Sequence, residues 1–164
     1  MITLRIAKEE DLPVIANIGT ITYGPTYAHL IGQEQVDYML GKFYTLGALK
    51  EQLMQGHIFI IAHEQGKDLA FASYSTTDPE KGIVKLHKLY VLPEAHGLGL
   101  GKFLINEVRD KAIDAGAKSL ELNVNRDNNA KDFYEKAGFK IKETVDIEIG
   151  NGFQMNDYVM ALPL

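Results

Sequence analysis

Three glycines at alternate positions form the most chemically informative segment of this chain. Gly97, Gly99 and Gly101 are separated by leucines and followed by Lys102. A glycine loop that leads into a helix presents backbone N–H groups and the positive end of the helix dipole to one small volume. Phosphate groups bind in such volumes, so the sequence predicts an anion site at this loop.

The spacing of the glycines argues against two common nucleotide sites. A dinucleotide fingerprint reads Gly-x-Gly-x-x-Gly, which differs from strict alternation. A Walker loop follows its lysine with a hydroxyl that binds magnesium, whereas Phe103 follows Lys102. A tight turn alone would need fewer glycines. A third interpretation is a pyrophosphate site for coenzyme A, beside the tight turn and the nucleotide sites.

The composition of the chain limits what else it can do. With 164 residues, 46% of them hydrophobic, we expect a single domain over residues 1–164. The net charge of −5 argues against a nucleic-acid partner. The absence of cysteine excludes disulfides and thiolate nucleophiles, and we expect no bound metal. No run approaches the ~20 apolar residues of a membrane span, so we expect a cytoplasmic location and no membrane partner.

Hydrophobic periodicity predicts the elements that position the loop. The predicted order is strand, helices, three strands, helix, strand, helix and two strands, which indicates an α/β fold with a mixed, mostly antiparallel sheet of about seven strands and helices on both faces. Glu9–Asp11 opens the first predicted helix. The chain from Gly24 to Gln55 is less regular because Pro25 and several glycines interrupt it, with predicted helical pieces at 36–43 and 48–54. The predicted strands are 2–6, 58–62, 69–74, 83–92, 120–124, 139–149 and 153–162.

Two longer blocks resemble a known family. The segments Leu89–Pro93 with His96–Gly101, and then Asn129–Phe139, are similar to the two signature blocks of the GCN5-related N-acetyltransferases. The resemblance implies that acetyl-CoA is the co-substrate. It also implies that the backbone of the end of the strand pairs with the pantetheine arm and that the loop amides hold the pyrophosphate. The residues so implied are Leu89, Tyr90 and Val91 for the arm, and His96, Gly97, Leu98, Gly99, Leu100, Gly101 and Lys102 for the phosphates.

Two positions depart from the family pattern. His96 stands where the family usually has arginine or glutamine, so a cationic phosphate contact there would depend on histidine protonation. In the second block, Asn128 is our choice for a pantetheine contact, with the neighbouring Asp127 and Asn129 as alternatives. Lys136 in the same block is also expected to contact the cofactor.

The resemblance implies two catalytic residues. Tyr134 matches the tyrosine that gives a proton to the departing sulfur in the family, and the alternative is a packing role beside Phe133. His87 lies two residues before Leu89 on the same face of the strand and resembles a base or a water relay. The alternative for His87 is a strand histidine with no catalytic role.

Two further segments of the chain bear on the acceptor. The N-terminal half, with Tyr23 and Tyr27, and the closing Asn156–Met160 resemble bacterial polyamine acetyltransferases, which implies spermidine or spermine as the acceptor. An amino acid, an aminoglycoside or a protein N-terminus is also compatible with the family. The competing function is a coenzyme A binding or sensing module without turnover. The resemblance to the family also implies a homodimer.

Overall fold

The computed structural model describes residues 1–164 and contains seven β-strands and five α-helices. Short 3-10 turns at Glu9–Asp11 and Pro93–Ala95 precede the first and fourth helices. None of the helices combines the length and the apolarity that crossing a bilayer requires. In chain order the elements are β1 (Thr3–Ile6), α1 (Leu12–Ile31), α2 (Gln33–Phe43), α3 (Leu46–Met54), β2 (Ile58–Glu64), β3 (Lys67–Asp78), β4 (Ile83–Val91), α4 (Leu100–Asp114), β5 (Ser119–Asn125), α5 (Ala130–Lys136), β6 (Lys140–Gly150) and β7 (Phe153–Pro163).

The strands form one mixed sheet in the order β1-β2-β3-β4-β5-β7-β6. Strands β4 and β5 run parallel, with Ile83 opposite Ser119 and Leu86 opposite Leu122. The β1–β2, β2–β3, β5–β7 and β6–β7 pairs are antiparallel. The predicted mixed, mostly antiparallel seven-stranded sheet is therefore confirmed.

Helix α1 is longer than the sequence predicted. It continues through Gly24 and Pro25 to Ile31, where we expected an irregular segment, so that expectation is wrong. The proline removes one donor from the helix ladder. Burial of Ile18 and Tyr23 on this helix offsets that loss because packing, rather than local propensity, supplies most helix stability in proteins.

Close packing between α1 and the residue after α2 depends on one glycine. A Cβ built at Gly19 would lie 2.5 Å from Cδ1 of Tyr44, which is closer than real Cβ atoms approach other heavy atoms. The Tyr44 ring therefore occupies the space that a side chain at Gly19 would fill. This contact holds Tyr44, which is 6% exposed, against the helix.

The chain divides into two compact units, and the prediction of one domain over residues 1–164 stays a prediction. The first unit contains residues 1–75 and 88–108, and the second contains residues 76–87 and 109–164. Phe59 and Phe71 are fully buried in the first unit, with ring centroids 6.3 Å apart. Leu120 and Phe139 are at most 1% exposed in the second.

Candidate functional site

The alternating glycines form an open loop in the first unit. Gly97 and Gly99 have φ angles of +85° and +77°, in the left-handed region that glycine tolerates best. Both residues are exposed, and a Cβ at either would have no neighbouring heavy atom within 4 Å. The backbone here is consequently accessible to a ligand from outside.

Buried side chains fix both ends of this loop. Ala95 is 2% exposed and Leu100 is 1% exposed, whereas the residues between them are exposed. Before the loop, the Leu92 N–H donates to the Leu69 carbonyl at 2.9 Å. The loop is thus an exposed bridge between two anchored points.

The start of α4 supplies donors to the same region. The Phe103 N–H donates to the Gly99 carbonyl at 3.0 Å, which makes this the first hydrogen bond of the helix. The N–H groups of Leu100, Gly101 and Lys102 precede that bond and have no carbonyl partner within the helix. Together with the exposed Lys102 side chain, they fit a diphosphate group.

His96 connects the loop to the preceding strand. Its Nε2 lies 3.0 Å from the carbonyl oxygen of Val91, to which it donates when that nitrogen carries the proton. His96 is exposed, and this contact with the end of β4 uses one of its two ring nitrogens. The phosphate contact expected of His96 therefore falls to Nδ1.

The predicted pantetheine residues lie at the end of β4. Leu89, Tyr90 and Val91 are half-buried, and β4 continues to Val91 beyond the section that pairs with β5. The Tyr90 ring lies 5.8 Å from the Phe71 ring of β3 and 6.2 Å from the Tyr23 ring of α1. Pantetheine pairing by these backbone groups remains a prediction.

A cluster of four tyrosines lies in the first unit, and we call it the tyrosine cluster: Tyr23, Tyr27, Tyr44 and Tyr90. Tyr23 is central, with ring centroids 4.6 Å from Tyr27, 5.5 Å from Tyr44 and 6.2 Å from Tyr90. The hydroxyls of Tyr44 and Tyr90 share a hydrogen bond, and burial raises the pKa of both phenols. The two groups are neutral hydrogen-bonding groups near pH 7.

Lys88 belongs to this region and was not singled out from the sequence. Its Nζ lies 5.4 Å from the centre of the Tyr44 ring and donates to Gln52 Oε1 at 2.8 Å. The available signal was a lysine in a strand whose neighbours, Leu86, Leu89 and Val91, are apolar. Sequence alone could not reveal which helix the lysine faces.

Tyr134 lies in α5 of the second unit, held by two aromatic neighbours. Its ring makes edge contacts with Phe133 and Phe139, at centroid distances of 5.3 and 5.8 Å. Phe139 is 1% exposed, so it gives the Tyr134 ring a fixed support. The packing role and the predicted catalytic role are compatible because the contacts use the ring.

The second predicted block also defines the start of α5. Asn128 Oδ1 accepts a hydrogen bond from the Ala130 N–H at 2.9 Å, while Asn129 directly precedes α5 without a capping hydrogen bond from its side chain. Asp127 is exposed and its N–H donates to Asn125 Oδ1 at 2.9 Å. Of the three candidates for the pantetheine contact, Asn128 already accepts a hydrogen bond from the backbone with its side-chain oxygen. Lys136 ends α5 and is exposed.

His87 follows the parallel section of β4, in the second unit, and is half-buried. Two residues earlier, Lys85 belongs to a polar cluster with Asp157 and Asn123. Asp157 is 2% exposed, and burial raises the pKa of its carboxyl despite the hydrogen bond from Asn123 and the positive charge of Lys85. Burial also lowers the pKa of Lys85. No group of three histidine, aspartate or glutamate side chains comes together in a metal-binding arrangement.

Comparison with known sequences gives a consistent family. The profile described as an acetyltransferase (GNAT) domain matches residues 27–162. An uncharacterized N-acetyltransferase of Mycobacterium tuberculosis is 38% identical over 106 residues, which is 64% of this chain and 66% of that protein. The uncharacterized N-acetyltransferase YuaI of Bacillus subtilis is 26% identical over 160 residues, 87% of this chain and 90% of that protein. The chain thus spans just under two thirds of the mycobacterial relative.

Solved structures show the same fold. A GCN5-related N-acetyltransferase from Rhodopseudomonas palustris has a TM-score of 0.84 at 26% identity, covering 99% of this chain and 95% of that one. The PaiA N-acetyltransferase from Thermoplasma acidophilum, solved in complex with coenzyme A, has a TM-score of 0.83 at 22% identity, covering 100% and 99% of the two chains. YncA from Salmonella typhimurium, solved with acetyl-CoA, has a TM-score of 0.70 at 22% identity, covering 100% and 94%.

The mixed sheet and the glycine loop ahead of α4 place this protein in the structural class of the GCN5-related N-acetyltransferases. The profile match extends over most of the chain. The chain belongs to the acetyltransferase (GNAT) domain family.

Proposed function

We propose that this protein is an acetyl-CoA-dependent N-acetyltransferase that acts on a primary amine of a small molecule. In this reaction the neutral amine attacks the thioester carbonyl directly. A C–N bond forms, the C–S bond breaks, and coenzyme A leaves as the free thiol. Such a transfer needs no serine or cysteine nucleophile, in keeping with a chain that has no cysteine.

One observation carries this proposal, namely the loop that contains Gly97 and Gly99. Both glycines adopt positive φ, both are exposed, and the loop leads directly into α4. A coenzyme A pyrophosphate needs several N–H donors in a small volume without side chains, which this loop provides. The family membership of the chain adds acetyl transfer as the chemistry.

The roles of β4 and the loop follow from this arrangement. The amides from Gly97 to Lys102 hold the pyrophosphate, with the Lys102 ammonium as an added cation. The backbone at Leu89, Tyr90 and Val91 orients the pantetheine arm. A backbone N–H at the end of that strand stabilises the developing oxyanion, which requires no particular side chain.

Two side chains are proposed to move protons. The Tyr134 hydroxyl donates a proton to the departing sulfur, because a phenol and a thiolate have comparable basicity. His87 accepts the proton that the amine loses, directly or through water. Asn128 and Lys136 are proposed as further cofactor contacts in the second block.

Four classes of acceptor fit the proposed reaction. Spermidine or spermine is the acceptor that the resemblance to polyamine acetyltransferases implies, and an amino acid, an aminoglycoside and a protein N-terminus are the other candidates. The homodimer and the cytoplasmic location also stay predictions.

A panel of amines assayed for release of free coenzyme A tests the proposal. The panel contains a polyamine, amino acids, an aminoglycoside and a peptide with a free N-terminus. Wild-type protein is expected to release thiol with at least one class. Tyr134→Phe, which keeps the ring and its contacts with Phe133 and Phe139, is expected to lower kcat by roughly 100-fold or more. Tyr158→Phe is the matched control because it also removes a phenol hydroxyl, but from β7, where no proton donor is proposed.

The same assay separates the enzyme from a sensor. A coenzyme A binding module would bind acetyl-CoA in a calorimeter yet release no thiol with any amine, and that combination would refute the transferase. Wild-type rates in Tyr134→Phe would instead refute the role of Tyr134 while leaving the transferase in place.

A further inference from the structure

Lys88 holds a positive charge in a largely apolar environment. Its Nζ lies 5.4 Å from the centre of the Tyr44 ring and 6.0 Å from the centre of the Phe59 ring. The only side-chain oxygen that accepts a hydrogen bond from it is Gln52 Oε1, at 2.8 Å. We call these four residues, together with His57, the Lys88 cluster.

The orientation of Gln52 is fixed by a second hydrogen bond. Its Nε2 donates to the Phe43 carbonyl at 3.0 Å, so its Oε1 points to the lysine. An ammonium has three N–H donors, and Gln52 uses one of them. The rings of Tyr44 and Phe59 attract the charge through their faces but accept no conventional hydrogen bond.

No acidic side chain compensates the charge of Lys88. Burial lowers the pKa of Lys88 to about 8, and no carboxylate opposes that effect. The other titratable groups around it are His57, Tyr44 and Tyr90. Burial, and then the charge of Lys88, lower the pKa of His57, and burial raises the pKa of the two tyrosines. Near pH 7 the Lys88 cluster and its surroundings therefore carry positive charge only.

Lys85 on the same strand shows the opposite arrangement. Burial lowers the pKa of Lys85 too, but the charges of Asp157 and Glu121 act in the other direction. Buried charges in proteins are normally paired in this way, because an isolated one loses its hydration without compensation. Lys88 therefore differs from Lys85 in having no carboxylate nearby within the chain, although the chain as a whole has an excess of acidic residues.

We infer that Lys88 binds a carboxylate carried by the acceptor amine, so that the acceptor is an amino acid or a related amino-carboxylate rather than a polyamine. Lys88 shares a face of β4 with Tyr90 and lies opposite to His87, so His87 takes the amine proton through water. This inference rests on the proposed transferase function. The carboxylate supplies the counter-charge that the chain omits, and the two remaining ammonium protons donate to its oxygens. A polyamine would instead bring further positive charge towards Lys88, which is unfavourable in a poorly solvated environment.

Matched acceptor pairs test the inference. Leucine, phenylalanine and 4-aminobutanoate are each assayed beside the corresponding carboxamide, with spermidine as the polyamine. In the wild type at least one carboxylate is expected to exceed its carboxamide by about tenfold or more in kcat/KM, because a desolvated charge-assisted hydrogen bond is lost in the amide. Lys88→Met is expected to raise KM for that carboxylate and to bring the ratio close to one.

Two further variants control for charge and folding. Lys88→Arg restores the positive charge and is expected to recover most of the preference for the carboxylate. Lys85→Met removes the lysine of the same strand whose charge is opposed by Asp157 and Glu121, and it is expected to leave the carboxylate-to-carboxamide ratio unchanged. The affinity of Lys88→Met for acetyl-CoA, measured by calorimetry, is expected to match that of the wild type and reports correct folding.

The outcomes distinguish the two proposals. Thiol release with equal efficiency for carboxylates and carboxamides, or with spermidine as the best acceptor, would overturn the assignment of Lys88 and leave the transferase standing. An unchanged ratio in Lys88→Met would overturn it as well. The absence of release with every amine would overturn the transferase itself, and the inference about its acceptor with it.

Discussion

Asn123 on β5 donates a hydrogen bond from Nδ2 to Oδ2 of Asp157 on β7, at a distance of 3.4 Å. The acceptor carboxyl is 2% exposed. Burial raises the pKa of Asp157, whereas Asn123, Lys85 and Arg126 oppose that rise without cancelling it. The neighbouring groups therefore do not fully offset the loss of hydration of the ionised Asp157 carboxylate.

Substitution of Asp157 by asparagine is expected to change the pH dependence of stability. Because the folded-state pKa of Asp157 lies above its ordinary value, the folded protein binds this proton more tightly than the unfolded chain. The wild type loses this contribution as the pH rises from about 4 through the folded-state pKa. Asp157→Asn lacks the titration, so its free energy of unfolding relative to the wild type is expected to increase over that range.

Urea denaturation between pH 4 and pH 7 measures this difference. Asp114→Asn, at an exposed carboxyl at the end of α4, is the control for loss of a charge. A constant difference between Asp157→Asn and the wild type over the whole range would show that the Asp157 pKa is not raised.

Removal of the His87 imidazole is expected to lower the rate of transfer and to be partly reversible. His87→Ala should lower kcat by roughly 100-fold if the imidazole accepts the amine proton. Free imidazole in the assay buffer should restore part of the lost rate, because it can occupy the space left by the side chain. Restoration by imidazole is a result that a merely structural histidine would not give.

His63 provides the comparison for His87. It also lies in a strand and its Nδ1 is 2.9 Å from Asp68 Oδ1, which gives it a structural partner. His63→Ala is expected to retain transfer activity and to show no response to imidazole. Equal responses in the two variants would contradict a proton-transfer role for His87.

A charge introduced at Gly99 is expected to prevent cofactor binding. Gly99→Glu places a carboxylate in the volume assigned to the pyrophosphate, and Gly99→Gln places a neutral group of similar size there. Both variants share the strain of a side chain at φ +77°, on the order of 1–2 kcal/mol. The Kd for acetyl-CoA is expected to rise by roughly 100-fold or more in the glutamate variant and by less in the glutamine variant.

Gly116 offers a matched control for the strain at Gly99. It has φ +81°, lies beyond the end of α4, and a Cβ there would have no neighbour within 4 Å. Gly116→Glu is expected to lose a similar amount of stability while keeping the affinity for acetyl-CoA, as measured by calorimetry. Wild-type affinity in Gly99→Glu would refute the assignment of the loop.

Lys88 is expected to reduce the stability of the ligand-free protein at neutral pH. Its folded-state pKa of about 8 is below the ordinary value, so the folded protein binds this proton less tightly than the unfolded chain. The destabilisation of the folded protein by the Lys88 charge is fully present below pH 8 and is lost as the pH rises towards about 10. Lys88→Met is expected to be more stable than the wild type by about 2 kcal/mol at pH 7, and by less at pH 9.5.

Thermal and urea unfolding of Lys88→Met at the two pH values measure this effect. Lys50, which is exposed and pairs with Glu9 at 2.9 Å, supplies the control Lys50→Met. That variant is expected to gain no stability at either pH. A loss of stability in Lys88→Met at pH 7 would show that Gln52 and the rings outweigh the desolvation of the ammonium.

The sequence predicted the features that depend on local pattern. Alternating apolar residues located the strands, and the glycine spacing located the loop at Gly97 and Gly99. Helix α1 was wrongly predicted to be interrupted at Pro25, because its continuation depends on packing that a local pattern does not contain. For the same reason the sequence did not indicate the environment of Lys88. Gln52 and Tyr44 determine that environment, and both are distant from Lys88 in the chain.

The contact of Tyr44 with Gly19 has a consequence for engineering this protein. Replacing a glycine within a helix by alanine is a standard route to thermostability, worth roughly 0.5–1 kcal/mol. At Gly19 the added methyl group would displace the ring on which the Lys88 ammonium rests. A stabilising library that treats every helical glycine as equivalent would therefore disturb the surroundings of Lys88 through a residue that does not itself contact Lys88.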